Sequence, residues 1–302
     1  MTKRGEKTAK RREMLFYILM IALPVLQFCI FYIGVNFNSI LLAFQTYDRE
    51  GNTFRFAGFE NFVFQFREFA LSSTLRGSVV NSLKVWFATT IVSLPCALLF
   101  SFFIYQKMPA SGFFKAILFL PSIIPGMVTV IIYMYFVERA LPVFCETLFG
   151  REMDGLLQNP STQFGAVFFY NVFLSFGGNM LLLLGGMNTV DVSVREAAQL
   201  DGASGFREFY HVVLPKVWAT LTTFLVLGVA GIFSNQFGLY SFYGIAASER
   251  LATMGYLLYA RTSIATLAEY PALACLGVLL TVVIVPVTLG VKAFLEKIGP
   301  KE

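Results

Sequence analysis

The sequence predicts an all-α integral membrane protein with six transmembrane helices. Only 14% of its 302 residues are charged and 57% are hydrophobic, whereas soluble domains carry roughly 25% charged residues. Six tracts, each longer than the ~20 apolar residues that a bilayer span needs, contain no Asp, Glu, Lys or Arg. They are Met14–Tyr47, Val85–Gln106, Ala116–Val137, Gly155–Val190, Val217–Ser248 and Tyr270–Val291. A soluble helical protein would have to bury all six tracts, so we favour membrane spans. The strands of a membrane β-barrel alternate apolar and polar residues, and these tracts do not.

Within these tracts the expected spans are Leu15–Leu42, Val80–Tyr105, Phe114–Phe136, Phe164–Met187, Val217–Phe242 and Pro271–Phe294. The first tract follows a basic start, but it is far longer than the ~7–15 residues of a signal-peptide core. We therefore expect an uncleaved first span. The predicted organisation is a basic N-terminal tail, residues 1–13, followed by a single six-span domain, residues 14–302.

Charge asymmetry predicts the orientation of the chain in the membrane. With six spans both termini lie on one side, and that side holds 14 of the 23 Lys and Arg residues. Cytoplasmic loops are enriched in Lys and Arg, so we expect cytoplasmic termini in a bacterial cytoplasmic membrane. The positive net charge follows from this bias and needs no nucleic acid as a partner. The four cysteines show no metal-binding or disulfide spacing, so no metal site is expected.

Uncharged polar residues recur at helical spacing inside several spans. Such residues are costly in lipid unless they face protein or water. We select six as a predicted substrate pathway: Thr129, Tyr133, Asn171, Asn179, Asn235 and Gln236. Helix packing, in which small and amide residues join neighbouring helices, is the alternative interpretation for each of them. If they line a pathway, amides, hydroxyls and aromatic rings suit a neutral, hydroxyl-rich solute.

A charged segment, residues 188–216, separates spans four and five and is expected to be cytoplasmic. Ser193 and Glu196 fit a capping box that would start a helix, and Asp201-Gly202 would end it. Ser204 could cap a second short helix, residues 205–212, which Leu214-Pro215 would terminate. Small residues would allow close approach of another protein: Ala197, Ala198, Gly202 and Ala203. Charged residues would keep the segment in water: Glu196, Asp201, Arg207 and Glu208.

The stretch "EAAQLDGASGFREFYHVVLP" closely resembles the cytoplasmic loop of binding-protein-dependent ABC importer permeases. The family pattern places EAA, then Gly after three residues, and Leu-Pro further on. Further likeness to the first-subunit type of maltose-type sugar permeases comes from "GFENF", "NSLKVW" and "LFLPSIIPG". The chain is expected to lack the additional N-terminal spans and the large external insertion of the maltose prototype.

The resemblance implies the type I ABC importer permease fold and a transport role without catalysis. Its coupling residues would be Glu196, Ala197, Ala198, Asp201, Gly202, Leu214 and Pro215. The implied partners are a second permease, which is expected to be a different chain, two ATPase subunits that bind ATP and Mg, and an extracellular solute-binding protein. The implied cargo is a sugar or oligosaccharide. The alternatives are another ABC cargo (polyamine, phosphate, metal or amino acid), a stand-alone channel or a membrane enzyme.

Overall fold

The computed structural model describes residues 3–150, 152–203 and 205–300, with side-chain surroundings from residue 12 onward. The α-helices are α1 (Lys3–Gln27), α2 (Val35–Ala43), α3 (Glu60–Leu71), α4 (Ser73–Tyr105), α5 (Ser111–Ile123), α6 (Gly126–Tyr135), α7 (Leu141–Phe149), α8 (Gln163–Met187), α9 (Val192–Leu200), α10 (Phe206–Glu208), α11 (Leu214–Ala230), α12 (Leu239–Tyr243), α13 (Met254–Ile264) and α14 (Tyr270–Ile298). Three π-helical segments are Phe28–Gly34, Phe136–Ala140 and Phe209–Val213, and the strands are β1 (Gln45–Asp48) and β2 (Thr53–Phe56).

The described chain contains six helical runs long and apolar enough to cross a membrane, which confirms the predicted fold class. They are Arg12–Ala43, Ser73–Tyr105, Gly126–Phe149, Gln163–Met187, Phe206–Ala230 and Tyr270–Ile298. The first run joins α1 and α2 through a π-helical segment. None of its most apolar 18-residue window is buried inside the chain, whereas Ala43, at the end of the run, is buried.

One compact unit consists of the residues up to Glu68 together with Ile264–Leu279. Its strands β1 and β2 pair antiparallel as a hairpin, with Gln45 opposite Phe56. The amide of Asn61 donates to the carbonyls of Ala43 and Gln45, at 2.9 and 2.7 Å. This amide therefore fixes α3 against the end of the first span and the start of the hairpin.

The other unit contains Phe69–Ser263 and the residues from Leu280 onward. Helices α4 and α8 pack along each other because α4 presents a row of small residues, which lets two backbones approach closely. The hydroxyl of Ser101 donates to the carbonyl of Met180 at 2.9 Å. Ser93 and Ser175 bond to each other at 3.0 Å. These contacts make the α4–α8 pair the centre of this unit.

The predicted third span, Phe114–Phe136, is wrong in its boundaries. The helix breaks at Ile124, whose ψ of 137° is extended. A residue before proline is pushed out of the α region, and Pro125 follows directly. The helical run in this region that is long and apolar enough to cross a membrane is Gly126–Phe149. Glu138, two residues beyond the predicted span, lies within that run and accepts a bond from the Leu157 amide at 2.6 Å.

The predicted fifth span, Val217–Phe242, is also wrong at both ends. Its helix starts at Phe206, passes through the π-helical segment and α11, and stops at Ala230. Pro215 does not end a helix, because it stands in the first turn of α11, where its missing N–H costs little. The Leu214 amide bonds back five residues to Phe209. Beyond Gly231 the chain is irregular until Leu239, so Asn235 is not on a helical stripe.

Candidate functional site

Two adjoining cavities lie between α4, α8, α11 and the irregular segment that follows α11. Their volumes are about 350 and 340 Å³, within the roughly 300–1,000 Å³ range of small-molecule pockets. They share Thr89, Thr90, Leu227, Gly228 and Asn235 in their walls. None of the described residues that line them carries a charge. The cavities therefore offer hydroxyl, amide and apolar groups beside the middle of α4 and the C-terminal end of α11, and the first cavity also meets the middle of α8.

The irregular segment is held in place by hydrogen bonds to its backbone. The Asn171 amide donates to the Phe237 carbonyl at 3.1 Å, and the Thr253 hydroxyl donates to the Asn235 carbonyl at 2.7 Å. The Phe237 amide donates to the Asn235 side chain at 2.8 Å. Non-helical backbone at membrane depth is tolerated only where protein or water satisfies its polar groups. These bonds meet that requirement and aim Asn235 into the cavities.

Gly255 makes this close approach of α13 to the irregular segment possible. A Cβ atom at this position would lie 2.5 Å from the carbonyl carbon of Ser234 and 2.8 Å from that of Asn235. Both are backbone atoms that cannot swing aside, so only glycine fits here. The amide of the preceding residue, Met254, donates to Ser82 of α4 at 2.8 Å, which ties the same turn to α4.

The six predicted pathway residues do not share one place. Asn171, Asn179 and Asn235 line the first cavity together. Gln236 is half-buried and lines neither cavity.

Thr129 and Tyr133 also lie outside both cavities. Thr129 bonds to the Tyr170 hydroxyl at 2.9 Å, and the Tyr133 hydroxyl donates to the Ala166 carbonyl at 2.7 Å. Within this chain they join α6 to α8, as the helix-packing alternative describes. A substrate contact for any of the six stays a prediction.

Residues of α4 that the pathway prediction omitted line the same cavities. Thr89, Thr90 and Ser93 face the first cavity, and Ser82 and Trp86 face the second. The spacing of Ser82, Thr89 and Ser93 is that of a helical stripe, so the sequence did carry this signal. The Trp86 indole N–H is buried without a hydrogen-bond partner in the described chain.

The loop between α8 and α11 forms the predicted helix, although its first turn differs from the prediction. Helix α9 starts after Asp191, without a side-chain cap, and Ser193 lies inside it. The predicted capping box is therefore wrong. The chain before α9 is extended at Asp191, where ψ is 134°, so the turn begins two residues earlier than expected. The predicted cap at Ser204 lies outside the described residues.

The end of α9 is formed as predicted. Gly202 has a φ of +78°, in the left-handed region. The Ala203 amide bonds to the Ala198 carbonyl at 2.9 Å, and the Gly202 amide bonds to Gln199 at 3.0 Å. This is the Schellman ending, which glycine adopts without strain. Beyond it, the predicted second helix, 205–212, is instead the start of the long helix that becomes α11.

The surface of this loop combines charged and apolar groups. Glu196, Ala197 and Asp201 are exposed, and Ala198 is half-buried. Large apolar side chains are exposed as well, with Leu200 at 89% and Val192 at 67%. These apolar groups, on a loop outside the candidate spans, indicate a surface that another molecule covers.

Glu208 does not face water, contrary to the prediction. It is 2% exposed, and its Oε1 lies 3.0 Å from Nε of Arg195. The sequence of the loop could not reveal this burial, because it comes from packing against other elements of the unit. Leu214 and Pro215, predicted coupling residues, are half-buried in the first turn of α11.

No protein-family model matches the chain. The chain is 29% identical over 199 residues to the probable ABC transporter permease protein YesP of Bacillus subtilis, covering 58% of this chain and 64% of YesP. It is 25% identical over 221 residues to the sn-glycerol-3-phosphate transport system permease protein UgpA of Escherichia coli O157:H7, covering 72% and 73%. It is 26% identical over 214 residues to the arabinooligosaccharides transport system permease protein AraP of Bacillus subtilis, covering 69% and 66%.

The fold is that of a chain in the crystal structure of a bacterial ABC transporter involved in the import of the acidic polysaccharide alginate. The two superpose with a TM-score of 0.79 at 19% identity, over 99% of this chain and all of that one. Among the first three relatives the match spans 50% to 64% of the relative's length. These findings confirm the resemblance to ABC importer permeases: the homologues are transport permeases, and this is a multi-pass membrane protein.

Proposed function

We propose that this chain is a membrane-spanning permease subunit of an ATP-driven importer that carries a neutral sugar or oligosaccharide. The observation on which the proposal depends is the loop around α9, which presents exposed apolar groups outside the membrane between two spanning helices. A stand-alone channel or a membrane enzyme has no need of such a surface. The homology to ABC transporter permeases supports the same reading.

The proposed partner at this loop is an ATPase subunit, which binds ATP and Mg and carries out the hydrolysis. The complete assembly has two permease chains, two ATPase subunits and an extracellular solute-binding protein. Both termini and the α9 loop then face the cytoplasm, as the excess of Lys and Arg on that side favours. Closure of the ATPases pushes α9, and the spans attached to it alternate between inward-open and outward-open states, each stabilised by different contacts.

The proposed solute path runs through the two cavities beside Asn171, Asn179 and Asn235. Their walls contain hydroxyl and amide groups and no charged residue among those described. An anionic or cationic solute would lose its hydration there without gaining a counter-charge. The names of the relatives cover a glycerol phosphate, an arabinooligosaccharide and alginate. The uncharged walls favour the neutral oligosaccharide.

Cargo is tested by uptake of labelled neutral oligosaccharides, glycerol 3-phosphate and a polyamine, with the cognate binding protein in proteoliposomes. Uptake of the neutral sugars alone is expected, since the path offers no charge. Preferential uptake of glycerol 3-phosphate or of the polyamine would overturn the sugar assignment while leaving the ABC role intact.

The docking role is tested with Gly202→Asp. A Cβ at Gly202 meets nothing within 4 Å, although the φ of +78° strains any residue other than glycine. The new side chain also places a negative charge on the docking surface. The expected result is a subunit that inserts normally, co-purifies poorly with its ATPase and does not couple hydrolysis to uptake. Gly202→Asn is the matched control, because Asn has nearly the same size and also tolerates a positive φ.

Normal ATPase binding and normal uptake by Gly202→Asp would contradict the proposed docking surface. Failure of the unaltered chain to co-purify with any ATPase would favour the stand-alone channel or enzyme instead.

A further inference from the structure

One side chain joins three separate elements at the end of the second unit where α9 lies. Arg195, on the first turn of α9, places Nε 3.0 Å from Oε1 of Glu208 in α10. Its Nη2 donates to Oε1 of Gln106 at 2.7 Å, just beyond the end of α4. Its guanidinium carbon also lies 5.2 Å from the centre of the Tyr105 ring. We refer to Arg195, Glu208, Gln106 and Tyr105 as the arginine clamp.

The clamp is buried more deeply than the loop around it. Glu208 is 2% exposed and the Arg195 side chain 26%, whereas Glu196, one residue further along α9, is exposed. A carboxylate this deep is costly unless a cation accompanies it. The ionic contact between Arg195 and Glu208 is therefore a strong constraint on where α9 can sit.

The chemistry of the clamp requires arginine in particular. A guanidinium group is planar, donates from several nitrogens in a fixed geometry and stacks on an aromatic face. In this chain the Arg195 guanidinium places Nε beside the Glu208 carboxylate, donates from Nη2 to Gln106 and lies over the ring of Tyr105. A lysine ammonium could satisfy the charge of Glu208, but it could not make all three contacts at once.

Building on the proposed function, we propose that Arg195 is a positioning residue that fixes α9 to the end of α4 and to the start of the α10–α11 helix. A push on α9 then moves the second and fifth spans together, and these are two of the helices that line the cavities. Without the clamp, α9 still docks through its exposed surface, but its movement is transmitted to the spans only in part. The clamp therefore sets how much solute is moved for each ATP hydrolysed.

The test uses the reconstituted complex with its ATPases and binding protein in proteoliposomes, and measures solute uptake and ATP hydrolysis in the same sample. Gln106→Met removes the hydrogen bond from Arg195 to the end of α4 without leaving a charge unpaired. Arg195→Leu combined with Glu208→Leu removes both charges together, so that folding does not depend on a lone buried carboxylate. We expect both variants to hydrolyse ATP while uptake per ATP falls about two- to thirtyfold.

Two further variants complete the design. Arg195→Lys keeps the charge and should recover part of the uptake per ATP. Lys115→Gln removes an exposed cation of α5 and should leave the ratio unchanged. A merely structural role for the clamp would reduce the yield of complex but would not alter the ratio.

The outcomes separate the two proposals. If Gln106→Met and the double variant both give a normal yield of complex and the same uptake per ATP as the unaltered complex, the proposed role of the clamp is wrong and the proposed function still stands. If the unaltered complex hydrolyses no ATP and takes up no solute, the proposed function fails and the clamp fails with it.

Discussion

The contact between α5 and α8 allows a sharp test of the packing, through two adjacent glycines. A Cβ added at Gly177 would lie 2.2 Å from the backbone oxygen of Leu118 and 3.4 Å from the Cα of Phe119. A Cβ added at the neighbouring Gly178 would meet nothing within 4 Å. Gly177→Ala and Gly178→Ala therefore make the same chemical change on the same helix, and only one of them collides with α5.

The expected difference in the free energy of unfolding between the two variants follows from two opposing effects. Alanine in a helix interior is favoured over glycine by roughly 0.5–1 kcal/mol, and both variants gain this. Gly177→Ala must also push α5 away by more than 1 Å, because ordinary contact starts near 3.4 Å. Overpacking of this kind costs about 1–3 kcal/mol. The free energy of unfolding of Gly177→Ala should fall below that of Gly178→Ala by about 1–3 kcal/mol.

The assay is reversible unfolding of the purified chain in mixed micelles, followed by helical circular dichroism as the fraction of denaturing detergent increases. Gly178→Ala should unfold at the same detergent fraction as the unaltered protein or at a higher one, and Gly177→Ala at a lower one. Equal midpoints for the two variants would refute the close approach of α5 to α8 at Gly177.

Two further predictions concern single hydrogen-bonding side chains. Thr253→Val leaves the Asn235 carbonyl without its 2.7 Å partner, so unfolding should become easier by about 1–3 kcal/mol. The matched control Thr262→Val removes an exposed hydroxyl bonded only within its own helix; an equal loss in both would contradict the role of Thr253. Bonds from the amide and the hydroxyl of Thr266, at 2.7 and 2.9 Å, lower the pKa of Glu269. The stabilisation that these bonds give the folded protein is complete above the pKa of Glu269 in the unfolded chain, ~4.3, and is lost as pH falls through its lower pKa in the folded protein. The thermal midpoint of Glu269→Gln should therefore lie below that of the unaltered chain at neutral pH and approach it in acid; a pH-independent difference would contradict this origin.

Charge-free tracts predicted the number and approximate position of the spans, because a helix in lipid cannot carry unpaired charges. The same tracts could not show where a helix breaks inside an apolar run. Ile124 leaves the helix because Pro125 follows it, and that local effect was visible in the sequence. The irregular segment at Asn235 was harder to predict, since it depends on Thr253 and Gly255, which lie on another helix.

The loop around α9 shows the same division between local and tertiary causes. The ending of α9 at Gly202 is a local property of the chain and was predicted correctly. The burial of Glu208 is a tertiary property that depends on Arg195 and on the end of α4, so a surface position was the natural but wrong expectation. The hydroxyls of α4 that line the cavities stand at helical spacing in the sequence, but they are not among the predicted pathway residues.

The exposure of the first span has a consequence for how the protein is made. The most apolar 18-residue window of Arg12–Ala43 has a mean hydropathy of 2.4, and no part of that window is buried against the rest of the chain. Such a helix can enter the bilayer from the translocon by its own partitioning, before any later segment has been synthesised. Biogenesis of this protein can thus begin with an independently inserted anchor, and the remaining helices assemble afterwards within the membrane.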